Sequence, residues 1–301
     1  VTYSDNWTYG ELPISYANHD KAGTATASVS YNGVTASTSF AIEAAAQPVA
    51  QVGETQYTTL AEAIANANGN AVVLLADCGD VTVESDLYVD LNGFNLTGVT
   101  VAEGSKLYLI DSATDDYQGA YGTAVVSGAV ESYVAYHGKS YLVVSENGVY
   151  SAHCYEVKLT HISLKPSDDA LGYKAQLLGD EIVYKHVKSF GFNLGVAGGL
   201  SKTYSKDTTD FDGSFTLRLK GILAANGGQL EITGSAFVIF DIANHTETTD
   251  AISTTMKQVL ETINASFDSF DSQQQAAVKE MVIKYASKLE GWDIHKILPE
   301  E

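Results

Sequence analysis

The tyrosines are the clearest candidates for chemistry in this sequence, because eight of the 18 fall within residues 108–155. A tyrosine joins an apolar ring to a hydroxyl group at a small entropic cost, which suits contact with a sugar or a protein. Tyrosine is also common in strands, so packing within a sheet is the alternative explanation. We predict a ligand-binding surface made by Tyr117, Tyr121, Tyr133 and Tyr136.

Acidic loops supply the oxygen ligands that calcium prefers. One loop, residues 207–213, contains Asp207, Asp210 and Asp212 and ends on a glycine that allows a sharp turn. The spacing departs from the EF-hand pattern, because the bidentate glutamate that closes such a loop is missing. A solvated polar loop is the alternative. We predict no cofactor, with calcium as the one candidate metal ion and these three aspartates as its candidate ligands.

No complete catalytic motif occurs in the sequence. A Gly-x-Ser-x-Gly elbow, a phosphate-binding glycine loop and a helical HExxH zinc motif are all missing. We expect His153 to be a structural residue, with a metal or acid–base role as the alternative. Because serine is abundant, a Ser/His/Asp group assembled only by the fold stays open. We predict no catalytic residues and no enzymatic activity.

Clustered carboxylates keep one enzymatic alternative open. Glycoside hydrolases need two carboxylates across a groove, and acids are frequent between residues 77 and 90. The candidates are Asp77, Asp80, Glu84, Asp86 and Asp90. Cleavage of an acidic polysaccharide would also need cations, yet residues 71–105 contain no lysine or arginine. The alternative is therefore a carbohydrate-active enzyme, a polysaccharide lyase or hydrolase, or its carbohydrate-binding appendage.

The charge balance excludes several classes of partner. The chain has 17 basic and 37 acidic residues, for a net charge of -20, and Arg218 is the only arginine. Surfaces that follow phosphate groups need clustered cations, so we expect neither nucleic-acid binding nor docking on an anionic membrane. No apolar run reaches the roughly 18 residues of a membrane span. The acidic surface suits an extracellular or cell-surface monomer.

The two cysteines allow two interpretations. Cys78 and Cys154 lie too far apart for a CxxC motif, and two cysteines are too few for a disulfide-stapled scaffold. Separate buried thiols and one long-range disulfide both fit the sequence.

The elements that must position these residues begin with a hairpin in residues 1–46. Small or apolar residues alternate with hydroxylic ones on both sides of Asn32-Gly33, a strong hairpin signal. The matching segments are Gly23-Thr24-Ala25-Thr26, Tyr31-Asn32-Gly33 and Phe40-Ala41-Ile42. They resemble the last strands of bacterial Ig-like repeats, which implies a truncated Ig-like end piece that acts as a spacer.

Residues 47–155 are predicted to form a short β-helix behind an N-terminal cap helix. Thr59 and Glu62 fit a capping box, and Asn68-Gly69-Asn70 ends the helix. Short strands separated by Gly, Asn and Asp follow, with no helix long enough for a crossover, which fits a solenoid of stacked coils. An antiparallel meander is the alternative.

Residues 156–301 are predicted to form an antiparallel β-sandwich followed by a pair of helices. Short alternating strands fill the region to about residue 250, and two apolar stripes at helical spacing follow. One stripe is Met256, Val259, Leu260 and Ile263, and the other is Val278, Met281, Val282, Tyr285 and Leu289.

A resemblance connects the last two regions. Tyr57, Leu60 and Ala63, followed by residues 88–97, are similar to the openings of right-handed β-helix modules in surface proteins of gut Gram-positive bacteria. Residues 153–196 and 253–295 resemble a module of unassigned function from the same group. The resemblance implies a mainly β, non-catalytic extracellular module for adhesion or structural display, with glycans or host or cell-surface proteins as partners.

Overall fold

The computed structural model describes residues 13–118, 121–222 and 228–299, and the chain forms two compact units, 1–48 and 49–301. The first unit contains an antiparallel sheet of β1 (Ile14–Ala17), β2 (Gly23–Tyr31) and β3 (Val34–Ile42). Tyr31 pairs with Val34 across Asn32-Gly33, whose backbone φ values of 50° and 78° fit a tight hairpin turn. The predicted hairpin forms, and its Ig-like assignment stays a prediction.

The second unit starts with short strands that alternate between two sheets. They are β4 (Ala50–Val52), β5 (Thr55–Tyr57), β6 (Val72–Leu74), β7 (Cys78–Val83), β8 (Leu87–Asp90), β9 (Leu96–Val101), β10 (Leu107–Ile110) and β11 (Ala124–Ser127). In one sheet β6, β8 and β10 pair in parallel, and in the other β7, β9 and β11 do the same. The antiparallel meander is therefore wrong for residues 72–127.

Aliphatic side chains in register fill the space between these sheets. Leu87 pairs with Leu107, and Val89 pairs with Leu109, so each inward position stacks on a like residue in the next pass of the chain. All four side chains are buried in one apolar cluster. Side chains alternate between the two faces of a strand, so the residues between these inward positions, Tyr88 and Tyr108, lie on the opposite face of the sheet.

Aspartate side chains join successive passes of the chain by accepting backbone N–H bonds. Asp77 accepts from the amide of Asn95 at 2.8 Å, and Asp86 accepts from the amide of Lys106 at 2.9 Å. The buried Asp111 carboxylate binds three amides, those of Gly93, Ala113 and Gly122. Asp90 likewise accepts from the amides of Asn92 and Ser112, each at 2.9 Å. These carboxylates satisfy turn amides that the parallel ladders leave free.

The rest of the second unit consists of antiparallel strands around a larger core. The strands are β12 (Tyr133–Tyr136), β13 (Lys139–Glu146), β14 (Val149–Lys165), β15 (Ala170–Leu178), β16 (Val187–Val196), β17 (Leu200–Asp207), β18 (Ser214–Lys220), β19 (Ile232–Phe240), β20 (Thr246–Thr248) and β21 (Ile252–Thr254). β15 and β18 extend, through β14, the sheet that also contains β7, β9, β11, β12 and β13, and a separate sheet consists of β16, β17, β19, β20 and β21. Side chains from both sheets share one apolar cluster.

The long strand β14 connects the two regions. Its first residues pair with β13 and β11, and its later residues pair with β15. The predicted boundary between residues 155 and 156 falls inside this strand.

The described residues of the second unit also contain helices. They are α1 (Leu60–Ala65), α2 (Glu181–Lys185), α3 (Met256–Ser266) and α4 (Ser272–Lys284), with 3-10 turns at Ser112–Thr114, Pro166–Asp168, Phe267–Ser269 and Ala286–Lys288. Thr59 caps α1 by accepting the amide of Glu62, and α3 and α4 each begin with a full capping box. In the described ranges no helix is long and apolar enough to cross a membrane.

The chain is therefore mainly β, as the sequence predicted, with both C-terminal helices in place. Cys78 and Cys154 are free thiols, so the structure contains separate thiols and not the alternative disulfide. Burial raises the pKa of the Cys154 thiol to about 11, which keeps it protonated at neutral pH.

Truncation of one inward leucine tests the stacked core. Leu109 is fully buried, so Leu109→Ala should lower the free energy of unfolding by about 2–5 kcal/mol through lost contacts and a cavity. Urea denaturation followed by circular dichroism measures this loss. The control is Val125→Ala, at a position 44% exposed, which should change stability by less than about 0.5 kcal/mol. An equally small effect of Leu109→Ala would contradict the stacked core.

Candidate functional site

Tyr88, Tyr108 and Tyr136 form a row of aromatic rings that we call the tyrosine patch. Tyr88 and Tyr108 occupy paired positions on β8 and β10, on the face opposite the buried leucines. Their rings stack with centroids 4.6 Å apart and an interplanar angle of 18°. Tyr136, on β12, lies 5.3 Å from Tyr88. All three rings are partly exposed, so they present aromatic surface to solvent.

Charged groups border the tyrosine patch. The hydroxyl of Tyr108 donates to Asp86 at 3.4 Å, and the Lys106 ammonium pairs with Glu131 at 2.7 Å. The hydrogen bond to Glu131 raises the pKa of Lys106, while desolvation and the nearby Asp86 charge raise the pKa of Tyr108. The patch therefore offers hydroxyl, ammonium and carboxyl groups beside apolar rings. Such a set can stack on a ring-shaped ligand and hydrogen-bond its hydroxyl groups.

The register of two parallel strands creates this patch, and only one of its members is among the tyrosines predicted to bind a ligand. Tyr136 was predicted as a binding residue, and Tyr88 and Tyr108 were not. The available signal was the repeated pattern Leu-Tyr-hydrophobic in residues 87–89 and 107–109. In a solenoid, two copies of a pattern that are separated by about the length of one coil lie in neighbouring coils. Their tyrosines then lie side by side.

The other predicted tyrosines lie in different surroundings. The Tyr117 hydroxyl donates to Glu156 at 2.8 Å, and burial raises its pKa far above the ordinary value. Tyr121 is 40% exposed and meets the His153 ring edge-on. Tyr133 stacks on the imidazole of His245 with centroids 3.7 Å apart. Within the described residues, no ring contact joins any two of the four predicted tyrosines, and the ligand-binding surface predicted for them stays a prediction.

The predicted calcium ligands lie at the end of β17 and in the loop after it. The Asp210 amide donates to the hydroxyl of Thr208, and Asp212 accepts the amide of Ser214, so local turns occupy part of the loop. Among the described residues, no group of three or more His, Cys, Asp or Glu side chains is arranged to hold a metal ion. Calcium at Asp207, Asp210 and Asp212 stays a prediction.

A Ser–His–Asp group lies where β14 faces the larger core. The Ser151 hydroxyl is 2.8 Å from Nε2 of His153, and Nδ1 of His153 is 2.6 Å from the Asp180 carboxylate. Ser151 and His153 share one face of β14 because they are two residues apart. Asp180 is the N-cap of α2 and accepts the amides of Ile182 and Val183. His153 is fully buried and hydrogen-bonded on both nitrogens.

The electrostatics of this group favour an ionised carboxylate. Burial by itself would raise the pKa of Asp180, but the hydrogen bonds from His153 and Val183 outweigh it and hold the pKa below the ordinary value. An ionised carboxylate only accepts hydrogen bonds, so Nδ1 of His153 carries a proton. In the neutral imidazole Nε2 is then the acceptor for the Ser151 hydroxyl.

A groove of about 660 Å³ lies between β14, α3 and α4. Its lining is apolar with neutral polar side chains and contains no charged residue. The lining residues are Ile162, Ser163, Leu164, Pro166, Thr254, Gln258, Val259, Thr262, Ile263, Phe270, Gln273, Gln274, Ala277 and Val278. Its volume is typical of small-molecule sites, and the groove is separate from the predicted tyrosines.

Comparisons with known proteins give little guidance. No family model matches the chain, and no curated protein matches it. One solved structure, a Br derivative of BhCBM56, is similar at a TM-score of 0.21 and 8% sequence identity, over 42% of this chain and 99% of that chain. At this TM-score the likeness carries no argument about fold or function.

Removing the Asp180 charge should weaken the fold in a pH-dependent way. A lowered carboxyl pKa contributes stability above the unfolded-state pKa, near 3.9, and that contribution is lost as the pH falls through the folded-state pKa. Asp180→Asn should therefore lower the free energy of unfolding by about 1.5–3 kcal/mol at pH 7, the range for hydrogen bonds to charged groups. Urea titrations at pH 7 and pH 3.5 should show the difference from the parent shrinking with acid.

The matched control is Asp250→Asn, because that side chain is exposed. This variant should unfold like the parent protein at both pH values. A deficit of Asp180→Asn that stays constant between pH 7 and pH 3.5 would contradict the lowered pKa.

Proposed function

We propose that the tyrosine patch binds glycans and that the chain is a module for extracellular adhesion or structural display in a bacterial surface protein. The observation that carries this proposal is the stacked, in-register pair Tyr88 and Tyr108, partly exposed and bordered by Asp86 and Lys106. Aromatic rings supply apolar contact area with little loss of side-chain entropy. The neighbouring charges supply donors and acceptors for sugar hydroxyls.

The charge of the chain favours neutral glycans over acidic ones. With a net charge of -20, the protein repels polyanions at long range. The Lys106 ammonium is engaged by Glu131, so the patch offers little free positive charge to an acidic sugar. We therefore expect the preferred ligand to be an uncharged oligosaccharide.

The scaffold under the patch is proposed to be a short right-handed β-helix. Parallel pairing within β6–β8–β10 and within β7–β9–β11 supports this assignment, and the handedness rests on the resemblance to surface-protein modules. The shared core of the two antiparallel sheets supports the proposed β-sandwich. The extracellular location rests on the acidic surface and on the same resemblance.

The clustered carboxylates support a structural role better than a polysaccharide-cleaving one. Asp77, Asp86 and Asp90 each accept a backbone amide from the adjacent pass of the chain. A general acid or base must instead present its carboxyl group to a substrate. The alternative of a polysaccharide lyase or hydrolase is therefore not favoured by these residues.

Tyr88→Ala and Tyr108→Ala test the proposal directly. A glycan array with the purified parent chain first identifies a neutral oligosaccharide ligand, and calorimetry then gives its dissociation constant. Each alanine variant should weaken binding by about 10-fold or more, equal to about 1.4 kcal/mol, because it removes a stacking ring. Tyr108→Phe should lose less, since it keeps the ring.

The control variant is Tyr31→Ala, which removes a 63% exposed tyrosine from the first unit. It should bind the same oligosaccharide as tightly as the parent. The proposal fails if no glycan binds, or if the Tyr88→Ala and Tyr108→Ala proteins, folded by circular dichroism, bind as tightly as the control.

A further inference from the structure

Ser151, His153 and Asp180 are hydrogen-bonded in the order by which a histidine and a carboxylate activate a nucleophilic serine. The serine hydroxyl contacts Nε2, the carboxylate contacts Nδ1, and both distances are within 2.6–2.8 Å. This order of contacts lets the imidazole accept the hydroxyl proton while the carboxylate stabilises the resulting imidazolium. Glycan binding at the tyrosine patch makes no use of it.

We propose that Ser151 is a nucleophile toward small esters and other acyl or phosphonyl donors, with His153 as general base and Asp180 as the residue that positions the imidazole. This inference goes beyond the proposed glycan binding and challenges the prediction that the chain has no enzymatic activity.

Burial and anchoring distinguish this group from an ordinary surface hydrogen bond. His153 is fully buried, whereas Ser151 is partly exposed and the Asp180 side chain is 26% exposed, so the imidazole is shielded while both ends of the group meet solvent. Asp180 is fixed because its other oxygen accepts two helix amides, at 2.9 and 3.0 Å. The ring of Tyr121, 4.7 Å from the imidazole, restricts its rotation. The imidazole is therefore held in one orientation before any substrate arrives.

A small cavity lies beside two neighbours of Ser151, although Ser151 itself does not line it. It has a volume of about 240 Å³ and is lined by Val144, the cross-strand partner of Ser151, and by Tyr150, the preceding residue. Its lining mixes apolar with polar side chains, including Glu131, Ser132 and His186. A substrate would therefore reach Ser151 through the partly exposed hydroxyl itself.

The chemistry balances without any added oxidant or cofactor. Ser151 Oγ attacks the ester carbonyl carbon, its proton passes to Nε2 of His153, and the C–O bond to the alcohol breaks. The alcohol leaves with the proton from His153, and water then hydrolyses the acyl-serine by the same route in reverse. With a fluorophosphonate probe, an Oγ–P bond forms, the P–F bond breaks and fluoride departs, which leaves a stable adduct.

A fluorophosphonate probe on the purified chain tests the proposal. The adduct is located by mass spectrometry of proteolytic peptides, and its rate of formation is compared with that of heat-denatured protein. We expect labelling at Ser151 in the folded parent and none in Ser151→Ala. Asp180→Asn should slow labelling by on the order of 10²–10⁴-fold, because the imidazole loses its partner. Hydrolysis of p-nitrophenyl acetate should fall in parallel.

Ser163→Ala is the matched control, since Ser163 lies on the same strand β14 outside the group. It should label at the parental rate. Thermal unfolding of every variant verifies the fold, and Ser151→Ala changes a side chain small enough to leave it intact. The proposal is overturned if the folded parent does not label, if Ser151→Ala labels equally, or if folded Asp180→Asn labels as fast as the parent.

Discussion

Hydrogen bonds from turn amides to aspartate carboxylates hold the stacked strands of the second unit together. A parallel ladder satisfies the amides within strands, but the turns between strands leave N–H groups facing the next pass of the chain. Asp86, Asp90 and Asp111 accept these groups over sequence separations of 11 to 22 residues. Gly122 is part of this arrangement, because the Phe94 carbonyl leaves no room for a Cβ atom there. The leucine layers and the tyrosine patch depend on the register that these bonds fix.

Side chains alternate between the two faces of β14, so this strand contributes to both cores of the second unit and also positions the Ser–His–Asp group. Ala152 and Cys154 face the core of the stacked strands, while Tyr155 faces the core of the antiparallel sheets. Ser151 and His153 lie on the Tyr155 side, where the N-cap carboxylate of α2 reaches them. The buried imidazole of His153 can stay there because both of its nitrogens have a hydrogen-bond partner.

Local rules predicted those parts of the structure that neighbouring residues determine. The Asn32-Gly33 hairpin, the Thr59 cap and the apolar stripes of α3 and α4 all follow from short-range chemistry. The candidate sites depend on contacts between residues that are distant in sequence, which local rules cannot predict. Tyr88 and Tyr108 meet through strand register, and Asp180 reaches His153 across 27 residues of chain. Among the predicted tyrosines, Tyr133 packs against the core of the antiparallel sheets, whereas Tyr117 and Tyr136 pack against the core of the stacked strands, a difference that depends on the fold.

The continuity of β14 has a mechanical consequence. Because one strand of 17 residues pairs with neighbours of both regions, no linker separates the stacked strands from the antiparallel sheets. Tension along the chain at this junction would load many interstrand hydrogen bonds together in shear, instead of extending a flexible hinge. The junction would therefore transmit force between the two regions through paired backbone.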